Sequence, residues 1–109
     1  MLNTEIKGLE YLNEIEKQDV QKIVDASYEK IKRKTKVDFL FKLVIKTIVK
    51  EGEKKNKRKH YSIQASISGQ VRPFEASSDG WDLHKVLHQA IERLEVQTEH
   101  AFHSSDQHK

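Results

Sequence analysis

The apolar positions of this 109-residue chain change period several times, and each change marks an element. Val20, Ile23, Val24, Ser27, Tyr28 and Ile31 recur at three-to-four spacing, which predicts a helix from Asn13 to Lys34 with one apolar stripe. Asn13 followed by Glu16 is a capping-box pair for its start. Val37 to Lys50 switches to a period of two. Phe39, Phe41, Leu43 and Ile45 take the odd positions, while Lys42, Lys46 and Lys50 alternate with Leu40, Val44 and Ile48 on the even ones. That is a long strand with one apolar and one mixed face.

Glu51 to Arg58 contains Gly52 and Asn56 and reads as a hairpin loop. In His60 to Ser68, Tyr61, Ile63, Ala65 and Ile67 alternate with Ser62, Gln64, Ser66 and Ser68, a second strand. Gly69 turns the chain. Gln70 to Ser77 is a shorter strand that Pro73 assigns to an edge or a bulge. Thr4 to Leu9 is a short edge strand weakened by Gly8. Leu83, Val86, Leu87, Ala90, Ile91, Leu94, Ala101 and Phe102 form a continuous stripe, with Thr98 filling a gap, so Asp79 to Phe102 is the second helix and Asp79 its N-cap.

The order is therefore β-α-β-β-β-α. Each helix has one apolar stripe and the central strands have one apolar face, so both helices are expected on one face of a four-stranded sheet, an α+β two-layer sandwich. Residues 1–102 form one domain and 103–109 a frayed polar tail. The chain lacks cysteine, which excludes disulfides, thiolate catalysis and cysteine-ligated zinc. Lys42 and Lys46 interrupt the most apolar stretch, so neither a membrane span nor a membrane partner is expected, and the N-terminal residues do not read as a signal peptide. A cytoplasmic protein is the expectation.

Charge changes the picture more than composition does. Thirteen of the twenty Lys and Arg residues fall between Lys30 and Lys59, opposed there only by Asp38, Glu51 and Glu53. That segment carries +10, against −4 before it and −3 from Tyr61 onward, although the whole chain is only +3. Such local density marks a candidate polyanion binder. One cluster is Lys30, Lys32, Arg33, Lys34 and Lys36, where cations also favour the C-terminal end of the helix dipole. The other is Lys54, Lys55, Lys57, Arg58 and Lys59 in the hairpin. About four phosphate contacts from that loop would give a salt slope of roughly −3 on single-stranded RNA. The long strand separates the clusters by about 45 Å, with Lys42, Lys46 and Lys50 as a ladder at intervals of about 13 Å between them. Such a track suits a large structured RNA better than a short oligonucleotide.

Other candidate chemistry is sparse. Phe39, Phe41 and Tyr61 belong to the core by parity, and Trp81, assigned to the first turn of the second helix, reads as a hydrophobic staple. His84 and His88 are four apart, as a helical metal pair would be, but no HExxH arrangement or third ligand accompanies them, and His100, His103 and His108 lie near the tail. No glycine-rich phosphate loop, nucleophile elbow or catalytic triad is recognisable, so no cofactor or metal is expected.

Ser66-Ile67-Ser68-Gly69 through Phe74-Glu75-Ala76, then Trp81-Asp82-Leu83 and Ala90-Ile91-Glu92-Arg93-Leu94-Glu95, resembles the second half of the ribosome hibernation promoting factors, also known as ribosome-associated inhibitor Y proteins. Ile23-Val24-Asp25 to Tyr28-Glu29-Lys30-Ile31 is similar to their first helix. The resemblance covers nearly the whole chain and implies a non-enzymatic protein that binds ribosomal RNA of the small subunit where messenger and transfer RNA lie, silencing idle ribosomes under stress. The family's second helix carries several cations; here only Lys85 and Arg93 are basic, among Glu92, Glu95 and Glu99. The alternatives are a homodimer or protein-interaction module using Leu40, Val44 and Ile48 on the open sheet face, and a generic double-stranded RNA binder.

Overall fold

The computed structural model describes residues 3–51 and 57–106. Its elements are β1 (Thr4–Lys7), a 3-10 turn (Leu9–Tyr11), α1 (Glu14–Thr35), β2 (Phe39–Glu51), β3 (Lys57–Gly69), β4 (Phe74–Gly80) and α2 (Leu83–Asp106). The sheet order is β1-β2-β3-β4, with β1 parallel to β2 and the other pairs antiparallel. This is the expected α+β sandwich.

Alternation decides which face is covered. Phe39, Phe41, Leu43, Ile63, Ala65 and Ile67 are buried, and they meet Val20, Val24 and Ile31 of α1 and Leu87, Ala90 and Leu94 of α2 in one core. Tyr28 stacks on Phe39 with ring centroids 4.7 Å apart. Thr98 is fully buried and returns its hydroxyl hydrogen to the Leu94 carbonyl at 2.9 Å, which lets a polar residue complete the stripe. α1 and α2 run in the same direction, as Ser27 to Glu95 and Lys34 to Glu99 contacts show.

The capping box forms as expected: the Glu16 N–H donates to Asn13 Oδ1 at 2.8 Å, and the Asn13 N–H to Glu16 Oε1 at 3.0 Å. At the other end Lys36 caps α1 in the left-handed conformation, φ 58°, its N–H reaching the Lys32 carbonyl. Glycine occupies such positions at least cost. Lys36→Gly is therefore expected to raise stability by about 0.5–1 kcal/mol in urea unfolding, while removing one cation from the basic end.

The ends of several elements differ from expectation. β1 stops at Lys7, and Leu9 belongs to the 3-10 turn. The hairpin ladder continues to the Glu51–Lys57 pair, so Lys57, Arg58 and Lys59 lie on β3 and not in a loop; Lys54 and Lys55 lie outside the described residues. The last strand begins after Pro73, which has no N–H to give a ladder, and runs to Gly80. Asp79 is thus a strand residue opposite Ser62. Asp82 takes the capping role, accepting from the Lys85 N–H at 3.2 Å. α2 continues to Asp106, four residues beyond the expected end. Among the described residues no helix is long and apolar enough to cross a membrane.

Candidate nucleic-acid interface

The sheet delivers the two basic clusters to opposite ends of the molecule. Arg58 pairs in register with Lys50 near the end of β2, whereas α1 ends beside the start of β2. β4 reaches only the Gly80–Tyr61 pair, so β2 and β3 continue beyond it as a two-stranded ribbon carrying Arg58 and Lys59. The Cα atoms extend over 61 Å along the longest axis.

At the α1 end the cations divide into two groups. Lys30 pairs with Glu95 at 3.3 Å, Lys34 with Glu99 at 3.1 Å, and Lys32 with Asp38 at 2.6 Å. The Lys32 ammonium holds the Asp38 carboxyl below its usual range, through their hydrogen bond first and their charges second. Glu95 also accepts from the Ser27 hydroxyl at 2.7 Å. The acidic second helix thus neutralises two lysines of the first, through Glu95 and Glu99. Arg33 and Lys36 are exposed and make no ion pair among the described residues. Those two remain most available to a polyanion.

The lysine ladder is likewise uneven. Lys42 pairs with Glu5 on β1 at 3.7 Å, while Lys46 is exposed opposite Ser62 and has no ion pair among the described residues. Leu40 and Val44 are half-buried and Ile48 half-exposed, so the apolar row expected to carry a homodimer runs beside charged residues.

Lys85 is exposed in the first turn of α2. Arg93 donates to the Ser77 carbonyl at 2.7 Å, and Gln97, one turn on, to the Glu75 carbonyl at 2.9 Å. Both carbonyls belong to the edge strand β4, so Arg93 helps cover an edge that would otherwise invite another strand. The His84 and His88 rings face each other, Nε2 to Nε2 at 3.3 Å, and no group of three metal-ligating side chains occurs among the described residues.

One cluster escaped the sequence reading. Trp81 precedes α2 and is 44% exposed. The Arg58 guanidinium lies over its ring, 4.4 Å from the centroid, and His60 meets it edge-on at 4.8 Å. His60 approaches Asp79 at 3.4 Å. Arg58 and His60 come from β3, Asp79 from β4, and Trp81 from the residue after β4, so only the cross-strand register brings them together. Alternation within His60 to Ser68 and a correctly placed β4 would have been the signal.

No protein-family model matches the chain, and no curated protein does. Among solved structures, the chain is similar to the crystal structure of the Thermus thermophilus Protein Y N-terminal domain, with a TM-score of 0.56 over 91% of this chain and 96% of that one. It shares that domain's fold. Sequence identity to the Protein Y domain is 14%, so the likeness is one of fold.

Proposed function

We propose that this protein is a cytoplasmic, ribosome-associated RNA-binding protein that docks on the small ribosomal subunit and occupies or protects its decoding region under stress. The observation that carries the reading is the placement, on a Protein Y-like fold, of exposed cations that make no ion pair among the described residues: Arg33 and Lys36 at one end, Lys46 on the open face, and Lys59 on the ribbon. Side chains spread along a sheet of this length reach phosphates on separate helices of a folded RNA. The mechanism is occupancy, with lysine and arginine pairing to phosphates and releasing their counterions. Lys54, Lys55, Lys57, Arg58 and Lys85 are further candidate phosphate contacts in this reading, and Lys30, Lys32, Lys34 and Arg93 join by exchanging protein partners for phosphate. It requires neither a catalytic step nor a cofactor.

Binding to isolated small subunits and to naked duplex RNA, measured at one salt concentration, tests the proposal. Tighter binding to subunits is expected. Equal affinity for both would reduce the protein to a generic double-stranded RNA binder.

A further inference from the structure

Beside the Arg58–Trp81 pair lies an open groove of about 420 Å3, where the N-terminal ends of α1 and α2 meet β3. Trp81, Tyr61, Leu83 and Leu87 supply apolar and aromatic wall; Glu16, Asp19 and Asp82 supply carboxylates. Burial first, then the charges of Glu16 and Asp82, push the Tyr61 hydroxyl above its usual range, consistent with carboxylates crowding that wall. Glu16 and Asp82 are held in place by their capping hydrogen bonds, so two acceptors are fixed at the groove. Trp81 is shared: its ring lines the groove and also carries the Arg58 guanidinium.

We propose that this groove receives one unpaired nucleotide of single-stranded RNA, its base against Trp81 and its phosphate on Arg58. The division of charge supports this occupant. Carboxylates in the groove repel a phosphate but accept hydrogen bonds from base amino groups, as Asp and Glu do from cytosine N4. The cation beside the groove then receives the backbone. A stacked arginine keeps its N–H edge for a phosphate while its plane is held by the indole. The size of the groove falls within the usual range for small-ligand sites. The site gives the RNA-binding protein proposed above a second kind of contact, one that reads unpaired bases where the basic ends read folded backbone, and it rests on that reading for its partner.

Trp81 is the sole tryptophan, so its fluorescence reports on the groove directly. Oligocytidylate, oligouridylate of equal length and inorganic polyphosphate are titrated into the intact protein. Saturable quenching by oligocytidylate is expected, with about 10-fold weaker binding of oligouridylate and much weaker quenching by polyphosphate, which reaches Arg58 but brings no base to the indole. Anisotropy of labelled oligocytidylate should show about 10-fold loss for Trp81→Leu and near-normal binding for Trp81→Phe, both checked by circular dichroism. Oligocytidylate binding that leaves the fluorescence unchanged, or equal quenching by polyphosphate, overturns the site. So does undiminished binding by folded Trp81→Leu. Should the wild type co-sediment with small subunits while the groove stays silent, the groove alone fails. Should oligocytidylate quench while the wild type does not co-sediment, the ribosomal reading fails and the groove stands.

Discussion

Replacing Arg33, Lys36, Lys46 and Lys59 together by alanine is expected to lower affinity for isolated small ribosomal subunits about 100-fold at 0.1 M salt. These four are exposed and make no ion pair among the described residues, so each can give its full charge to a phosphate. Four lost contacts should also flatten the dependence of log K on log salt by about 3 to 4. A second variant supplies the contrast. Lys30, Lys32 and Lys34 already hold Glu95, Asp38 and Glu99, so phosphate must displace a carboxylate at each. Their replacement should cost clearly less affinity per charge. Equal losses per charge in the two variants would mean that the ion pairs do not govern which cations are available. The comparison is measured by co-sedimentation across a salt series, with circular dichroism to confirm the fold.

Gly8→Ala is expected to destabilise the protein by about 3 kcal/mol or more, a large part of the 5–15 kcal/mol typical of a domain. Two costs combine. Gly8 has φ 96°, a region that L side chains enter at about 1–2 kcal/mol. A Cβ there would also overlap the backbone carbonyl oxygen of Ile45, and forcing atoms into a packed site costs typically 1–3 kcal/mol more. The residue lets the chain leave β1, pass tightly over β2 and enter the 3-10 turn closed by the Leu12 N–H on the Leu9 carbonyl. α1 starts two residues after Leu12, so this turn sets the helix over the sheet and its basic end beside β2. Urea unfolding measures the effect; a loss below 1 kcal/mol would contradict it.

The element order, both apolar stripes and the capping box were legible because each rests on local spacing. Parity alone placed Phe39, Phe41 and Tyr61 in the core, where they lie. The misread junction between the last strand and the second helix has a definite cause. Asp79 and Asp82 are both competent caps, and spacing within the helix does not choose between them; pairing of Ser78 and Asp79 with Ile63 and Ser62 extends the strand and pushes the helix start onward. The same error placed Trp81 inside the helix and hid its neighbours on β3. The basic clusters were visible as a charge run, but the partners of Lys30 and Lys34 lie some sixty-five residues away on α2. Which cations are free is thus a property of the packed helix pair. Gly8, read as a weakness in a strand, proves necessary because of a close approach that no local pattern records.

Docking on the small ribosomal subunit is read out by a sucrose gradient of lysate probed for this protein at low and high salt. The protein is expected to travel with small-subunit fractions at low salt and to move to the top of the gradient at high salt. Recovery at the top of the gradient at both salt concentrations would rule docking out.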